Sequence, residues 1–285
     1  MKTIRVFPRR TSMTPIDEDV RINSEPGFFD EADEVHVSCL FSYDRERAQQ
    51  LAEAWSKSGF NVKLGGVAYG SPSEDFIPGM YVRRGAVITS RGCPNRCWFC
   101  NVWRKEGALR ELPIKDGYIL LDNNILACSE AHIKAVFSML KRQKERALLV
   151  GGLEAKVLKD WHCDLIKASR VARMYFAYDT ADDRDPFISA MKMLDSHGVS
   201  RSSRYCYCLI GYKGDTFEAD EKRLREIWHY GAMPYAMLYR DEIGNASREW
   251  RVFQRQFSRP AIAKSILENR SKIIKCNTVC GGRPR

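Results

Sequence analysis

Three cysteines lie close together in a spacing that suits an iron–sulfur cluster. Cys93, Cys97 and Cys100 form a C-x3-C-x2-C arrangement at the end of the run Ser90 to Cys100. Cysteine thiolates hold the irons of [4Fe-4S] clusters, and this loop supplies three of the four ligands that such a cluster takes. One iron is therefore open to a substrate or cofactor, whereas a cluster with four protein ligands mainly carries electrons.

A zinc loop is the alternative use of the same thiols. Structural zinc takes four nitrogen or sulfur ligands in a tetrahedral arrangement. The sequence contains no second C-x2-C pair and no H-x3-H pair at zinc-finger spacing. Zinc binding, or three unrelated thiols, stays open as the second interpretation.

At this triad the chain resembles the radical S-adenosylmethionine (SAM) superfamily. Phe99, the aromatic residue before the third cysteine, fits the same pattern. The resemblance implies that SAM chelates the open iron through its amino and carboxylate groups. It also implies that an electron from a reductant such as flavodoxin or ferredoxin cleaves SAM to a 5′-deoxyadenosyl radical, which abstracts a hydrogen atom from a substrate.

The composition bounds the class of protein. The 285 residues can bury a substantial core, and the start of the chain, Met1 to Arg5, runs into charged sequence without the apolar segment of a signal peptide. No apolar stretch is long enough for a membrane span. We expect a soluble, cytoplasmic protein, in which the ten cysteines are metal ligands or buried side chains rather than disulfides.

Strand-like and helix-like segments alternate from Tyr81 onward. The predicted strands cover residues 85–90, 118–122, 147–150, 173–178, 205–210 and 234–239. This alternation predicts an α/β fold with a parallel sheet. Six such units match the partial (β/α)6 TIM-like barrel that the resemblance implies, with the chemistry at the carboxyl ends of the strands.

A smaller unit precedes the barrel. Residues 1–33 show no clear periodicity and are predicted to be an irregular lead-in, followed by a strand at 35–42, a helix capped by Asp44 and a strand at 61–66. This unit resembles a fragment of the cobalamin-binding domain found in one large radical SAM subfamily. It lacks the Asp-x-His-x-x-Gly signature for cobalt, so we expect a degenerate, cofactor-free unit in which His36 is structural.

The resemblance also implies SAM ligands at the ends of the barrel strands. Asp122 follows the second strand, where an acidic residue takes the SAM amino group in that subfamily; a cap of the following loop is the alternative. Gly151-Gly152-Leu153-Glu154 resembles the Gly-Gly-Glu element of the superfamily, displaced along the chain and with one residue inserted. Gly151, Gly152 and Glu154 are accordingly expected to contact SAM.

Two further positions complete the expected SAM site. Asp179 follows the fourth strand, where it is placed either to reach the ribose hydroxyls or to cap a helix. Gly211 lies in the segment Leu209 to Thr216, which is similar to the fifth-strand pattern in which a glycine faces the adenine. Thr216 or Asp215 is expected to cap the next helix.

The remaining cysteines allow a second cluster. Cys206 and Cys208 alternate with tyrosines, so both thiols lie on one face of the fifth strand. If that face is the lumen, either thiol is placed to donate a hydrogen atom to a substrate radical. Together with Cys276 and Cys280 they form a candidate auxiliary cluster, and buried or idle thiols are the alternative.

The net charge of +10 is concentrated at the C-terminus. Residues 248–285 contain ten Lys or Arg against two Glu. Ser247 is predicted to cap a helix with two faces. One face carries Trp250, Phe253 and Phe257, and the other carries Arg248, Arg251, Arg255 and Arg259. The basic face favours a nucleic acid or nucleotide substrate, although a solvated helix face gives the same pattern.

We divide the chain into 1–80, the lead-in and cobalamin-domain-like unit; 81–245, the radical SAM barrel; and 246–285, the basic extension. The sequence favours a radical SAM enzyme. A peptide-modifying radical SAM enzyme and a cobalamin-dependent radical SAM methyltransferase are the alternatives within that class. An iron–sulfur electron carrier and a nucleic-acid binder with a vestigial cluster are the alternatives outside it.

Overall fold

A computed structural model describes residues 2–70, 76–241 and 244–268. These residues form a four-stranded and a six-stranded sheet and a separate two-stranded pair. Each of the two larger sheets carries its own cluster of buried apolar side chains.

The first sheet is entirely parallel. Its strands are β1 (Thr3–Phe7), β2 (Val20–Ile22), β3 (Glu34–Ser38) and β4 (Val62–Gly65). They pair in the order β2-β1-β3-β4. Helix α1 (Arg45–Lys57) connects β3 to β4 and buries Leu51 and Trp55 in the core of this unit.

The prediction of an irregular lead-in was wrong, because β1 and β2 lie within residues 1–33. The buried residues Ile4 and Val6 alternate with Arg5, which itself is buried. The Arg5 guanidinium donates to the Gly79 carbonyl and pairs with the Asp17 carboxylate, so a charged residue is tolerated in a core strand. A charged residue breaks the apolar pattern by which a buried strand is predicted, so the sequence does not indicate this strand.

The second sheet forms the partial barrel. The strands from this part of the chain are β5 (Ala86–Val87), β6 (Ser90–Arg91), β7 (Arg110–Glu111), β8 (Ile119–Leu120), β9 (Leu148–Leu153), β10 (Arg173–Ala177), β11 (Arg204–Ile210) and β12 (Met233–Leu238). Six of them pair in parallel in the order β5-β8-β9-β10-β11-β12, while β6 and β7 form the antiparallel pair. The predicted partial (β/α)6 barrel is confirmed.

Helices follow the barrel strands. They are the short α2 (Val102–Lys105), then α3 (Glu130–Arg142), α4 (Asp160–Ala168), α5 (Arg184–Ser196), α6 (Phe217–His229), α7 (Arg248–Phe257) and α8 (Pro260–Glu268). Thr216 and Ser247 cap α6 and α7 through their side-chain oxygens, as the sequence predicts. Among the described helices, none has the length and apolar character required to span a bilayer.

The alternation of β11 decides which side chains face the barrel interior. Cys206 and Cys208 are fully buried in the core with Leu224 and Ile227 of α6. They therefore point toward the helix layer, and the condition for hydrogen-atom donation into the lumen is not met. Cys276 and Cys280, the other half of the candidate auxiliary cluster, lie outside the described residues.

The tyrosines of β11 face the interior instead. The Tyr207 ring stacks on Tyr175 of β10, with centroids 4.6 Å apart, and meets Tyr235 of β12 edge-on at 5.8 Å. The Tyr207 hydroxyl donates to the Val150 carbonyl at 3.2 Å. Tyr175, Tyr207 and Tyr235 thus form an aromatic cluster inside the barrel.

Candidate active site

The cysteine loop lies beyond the carboxyl ends of β5 and β6, at the edge of the sheet where such barrels carry their chemistry. Cys93 and Cys100 are half-buried and Cys97 is exposed. The loop turns at Gly92, whose φ is 82°. A Cβ at Gly92 would lie 2.2 Å from the Ala108 carbonyl oxygen, so the turn before the first cysteine requires glycine.

The three thiols influence one another electrostatically. Burial raises the pKa of Cys97, and the charges of Cys100 and Cys93 raise it further. Across residues 2–70, 76–241 and 244–268, no group of three or more His, Cys, Asp or Glu is arranged to hold a single metal ion. Each cysteine of a [4Fe-4S] cluster binds a different iron, which spaces the thiolates more widely. Three cysteine thiols match the number of protein-ligated irons in a cluster with one open iron, whereas tetrahedral zinc takes a fourth protein ligand in a structural site.

Asp122, at the end of β8, fastens the start of this loop. Its carboxylate accepts hydrogen bonds from the Thr89 backbone N–H at 2.6 Å, from Thr89 Oγ1 at 2.5 Å and from Ser90 Oγ at 2.8 Å. The residue is 2% exposed, and this burial raises the pKa of its carboxyl. These contacts engage both carboxylate oxygens, so Asp122 fixes the position of Thr89 and Ser90 at the start of the loop.

The next two residues continue the attachment. Asn123 Oδ1 accepts from the Gly92 N–H at 3.0 Å. Asn124 Nδ2 donates to Cys93 Sγ at 3.7 Å and to Glu154 Oε2 at 2.7 Å. We call Asp122, Asn123 and Asn124 the loop clamp. Sequence reasoning singled out only the first of them, although three successive polar residues at a strand end were the available signal.

Gly151 and Gly152 act through packing in β9. A Cβ at Gly151 would lie 1.7 Å from the Asp122 carbonyl oxygen, so only glycine lets β9 approach the clamp this closely. Gly152 pairs with Tyr175 across a register shift in the sheet. Glu154, immediately after β9, lies beside Cys93 because both contact the Asn124 amide.

Asp179 follows β10 at the same edge of the sheet. Its Oδ1 accepts from the Leu209 N–H at 2.7 Å. Burial raises the pKa of this carboxyl to about 6, with a smaller contribution from the Asp183 charge. The charge of Asp179 also raises the pKa values of Cys97 and Cys100, which places it near the cysteine loop.

Gly211 ends β11 with φ at 70°. A Cβ there would lie 2.8 Å from the Trp250 ring of α7, so the glycine accommodates the C-terminal helix. No described contact links Gly211 to the cysteine loop directly.

Aromatic side chains surround the exposed part of the loop. Trp98 packs on Tyr212 with ring centroids 3.9 Å apart, and Tyr212 meets Tyr239 edge-on at 4.9 Å. Phe99 contacts Trp98 edge-on at 4.9 Å. Trp98 remains 46% exposed. We call Trp98, Tyr212 and Tyr239 the mouth aromatics.

A cavity of about 480 Å³ lies between the two sheets. It is lined by residues that follow β1, β3 and β4, such as Arg9, Cys39 and Gly66, and by Arg91 and Glu106 from the barrel. The connections leaving β1 and β3 diverge at this edge, which is where open α/β sheets bind ligands. A Cβ at Gly66 would lie 2.6 Å from the Cys39 carbonyl oxygen.

His36 also lines this cavity, but both its ring nitrogens have protein partners. Nδ1 lies 2.7 Å from the Tyr81 hydroxyl, and Nε2 lies 3.0 Å from Glu34 Oε2. The histidine thus joins β3 to the segment that enters the barrel. This contact set agrees with the structural role predicted from the sequence.

No family model matches the sequence, and no curated protein matches it. Solved structures of a radical SAM methyltransferase, TsrM from Kitasatospora setae, do match the fold. One, with cobalamin and a [4Fe-4S] cluster bound, is 12% identical, with a TM-score of 0.55 over 83% of this chain and 74% of that one. Another, with tryptophan substrate and the SAM analogue aza-SAM, is 11% identical, with a TM-score of 0.56 over 84% and 72%. The chain therefore shares the fold of radical SAM enzymes.

Proposed function

We propose that the protein is a radical SAM enzyme in which Cys93, Cys97 and Cys100 hold a [4Fe-4S] cluster. The observation that carries the proposal is the position of the C-x3-C-x2-C loop, which the clamp fastens at the carboxyl edge of the parallel barrel sheet. When bound, the cluster and SAM supply a 5′-deoxyadenosyl radical that abstracts a hydrogen atom from a substrate carbon. The electron comes from a donor such as flavodoxin or ferredoxin.

Glu154 and Asn124 are the proposed partners of the SAM amino group. Asn124 is 3% exposed, and its Oδ1 has no hydrogen-bond partner within the described part of the chain. Glu154 lies beside it and contributes a carboxylate. A carboxylate and an amide oxygen together suit an ammonium group, and the contact of Asn124 with Cys93 supports their assignment to the SAM amino group. They take over the role that the resemblance implied for Asp122.

Asp179 and Phe99 are proposed to hold the nucleoside part of SAM. Asp179 uses Oδ1 for the Leu209 N–H, and its Oδ2 has no hydrogen-bond partner among the described residues and so suits a ribose hydroxyl. Phe99 presents an aromatic ring immediately before Cys100. The mouth aromatics pack beside the cysteine loop and shield part of it from water, which protects a reactive radical.

The proposal is tested by reconstituting the protein anaerobically and adding dithionite and SAM. We expect about four irons per chain and the release of 5′-deoxyadenosine. Cys97→Ala removes one cluster ligand and is expected to abolish that release. Cys163→Ala, which changes a buried thiol in α4, is the matched control and should retain it. Equal release from wild type and Cys97→Ala would overturn the proposal.

A cobalamin-dependent radical SAM methyltransferase is the second candidate, and the cavity between the sheets favours it. The cavity lies at the switch point of the N-terminal sheet and opens beside Arg91, which is two residues before Cys93. His36 is held by Tyr81 and Glu34, so this cobalamin would bind without a histidine ligand from β3. This candidate competes with the expected cofactor-free unit.

Incubation with cobalamin followed by gel filtration distinguishes a cobalamin-binding unit from a cofactor-free one. Retention of cobalamin by wild type, and its loss in Val67→Trp, which fills the cavity from its lining, would support the methyltransferase. If the wild-type protein retains no cobalamin, the result supports a cofactor-free N-terminal unit. A methyltransferase would also release S-adenosylhomocysteine in addition to 5′-deoxyadenosine.

A further inference from the structure

We infer that the substrate class is single-stranded nucleic acid, with one base stacked on the mouth aromatics and the adjoining phosphates on the arginine face of α7. This inference deepens the proposed function and rests on it for the chemistry. Binding itself is independent of the cluster.

The mouth aromatics offer a stacking surface beside the cluster loop. Trp98 follows Cys97 directly and keeps nearly half of its surface exposed. Tyr212 and Tyr239 hold it in place through ring contacts at 3.9 and 4.9 Å. Exposed aromatic rings fixed in this way bind nucleobases by stacking, and they do so with little regard to sequence.

The arginine face consists of Arg248, Arg251 and Arg255. All three are exposed, and no carboxylate in the described residues forms an ion pair with them. Arg251 is held by the Ala246 carbonyl, with Nη2 at 2.7 Å, which keeps its charge toward solvent. Arg259 lies beyond the end of α7, since Pro260 begins α8, and so does not extend the face along one helix as the sequence pattern predicted.

The opposite side of α7 fixes this face to the barrel. Phe253 and Phe257 are buried, and Trp250 packs on Phe217 with centroids 4.3 Å apart. Gln254 Nε2 donates to the Ala236 carbonyl of β12 at 3.3 Å. An exposed basic face on a helix that is anchored this firmly presents its charges in a constant position.

A chain of contacts connects the arginine face to the mouth. Trp98 packs on Tyr212, and Tyr212 follows Gly211, which lies against Trp250 next to Arg251. The N-terminus of α7 therefore adjoins the barrel rim, and Arg248 and Arg255 extend from it over about 10 Å of helix. A strand with one base at Trp98 can run its phosphates along this face.

Further cations flank the stacking surface. Arg96 lies two residues before Trp98, and Lys213 follows Tyr212; both are exposed. Aromatic rings with cations on both sides match a base and its phosphates. A duplex would present its bases only at their edges, so stacking on Trp98 selects a single strand.

The first test measures the anisotropy of a short fluorescein-labelled oligothymidylate bound to the full chain at several salt concentrations. We expect affinity to fall with salt and to drop about tenfold or more in Arg251→Glu/Arg255→Glu, with a smaller salt slope. Lys141→Glu/Lys144→Glu on α3 and its exit makes the same charge change on another exposed surface and should bind like wild type. No binding by wild type, or equal losses in both double variants, would overturn the inference.

The second test isolates stacking. Tyr212→Ala should weaken oligothymidylate binding by about fivefold or more, while Tyr212→Phe keeps the ring and should bind like wild type. An abasic oligonucleotide of the same length carries the phosphates alone and should bind more weakly than oligothymidylate. Equal affinity for the two strands would make the surface a general polyanion site and refute base stacking.

The two proposals fail in different ways. Oligonucleotide binding without any SAM cleavage would refute the proposed function. SAM cleavage without oligonucleotide binding would refute the substrate class.

Discussion

Asn124 Nδ2 lies 3.7 Å from Cys93 Sγ and 2.7 Å from Glu154 Oε2, so one buried amide joins Cys93, a proposed cluster ligand, to an acidic side chain. The amide comes from the end of β8, and the carboxylate from the residue after β9. The cysteine loop thus depends on two neighbouring strands for its position. Hydrogen bonds to cluster sulfurs also help to set the reduction potential of the cluster.

Removing this donor is expected to change the electronic properties of the cluster. In Asn124→Ala the Cys93 sulfur loses a hydrogen bond that stabilises added negative charge, so the reduction potential should fall by on the order of tens of millivolts. A redox titration followed by electron paramagnetic resonance measures it. Asn101→Ala, an exposed asparagine next to Cys100, is the control and should leave the potential unchanged. The same potential in both variants would contradict a tuning role for Asn124.

Loss of the Asp122 carboxylate is expected to destabilise the fold and the loop together. Asp122→Ala leaves three donors on Thr89 and Ser90 without their acceptor in a buried site. The free energy of unfolding should fall by about 3 kcal/mol or more, with less iron taken up on reconstitution. Urea denaturation measures the first effect. Asp116→Ala, an exposed carboxylate before β8, should change stability by less than about 0.5 kcal/mol.

Asp179 predicts a pH dependence of stability in the iron-free protein. Burial raises its pKa to about 6 in the folded state, above the value of about 3.9 expected for an unfolded chain. The folded state binds this proton more tightly, so the contribution is fully present below about pH 4 and is lost as the pH rises through about 6.

In Asp179→Asn, which mimics the protonated form, the drop of up to about 3 kcal/mol between these pH values should be absent. Urea titrations from pH 4 to 8, a range of about two units around the shifted pKa, compare the variants. Asp182→Asn, an exposed neighbour, should retain the dependence of wild type. If the decrease in the free energy of unfolding between about pH 4 and 8 persists in Asp179→Asn, it arises from other titratable groups, and the prediction for Asp179 is wrong.

Gly211 and Gly214 form a matched pair for testing how α7 is fastened. Their φ angles are 70° and 94°, so alanine is strained by about 1 kcal/mol at either position. Only at Gly211 does a Cβ meet another group, with Trp250 at 2.8 Å and Leu238 at 3.0 Å. Gly211→Ala should therefore lower the free energy of unfolding by about 2 kcal/mol more than Gly214→Ala. Equal decreases in the free energy of unfolding for the two variants would mean that the Trp250 ring can shift without destabilising the fold.

The barrel could be predicted because its strands carry local signals. The segments around Ile119 and Cys206 are short apolar runs bounded by polar or glycine residues, and each is followed by a helical pattern. The cysteine triad was equally visible from its spacing. By contrast, the sequence does not predict β1, because Arg5 is buried in it and its partners, the Asp17 carboxylate and the Gly79 carbonyl, are not its sequence neighbours.

The site beyond the cysteines could be predicted only in part. The sequence points to Asp122, but its partners Thr89 and Ser90 lie more than thirty positions away, and no local pattern indicates that they donate hydrogen bonds to it. Asn124 is marked in the sequence only as the last of three successive polar residues after β8. At position 211 the sequence shows a glycine but not the Trp250 ring that lies against it.

The absence of a side chain at residue 151 has a consequence for how this site can be moved or altered. Because β9 touches the backbone of Asp122 there, any larger residue would displace the clamp and, through it, the first cysteine. Grafting the cysteine run alone into another barrel would transfer the ligands without their supports. A segment that carries these supports with it extends from β5 to Glu154. A substitution at position 151 would therefore impair the cysteine loop, although residue 151 lies outside it.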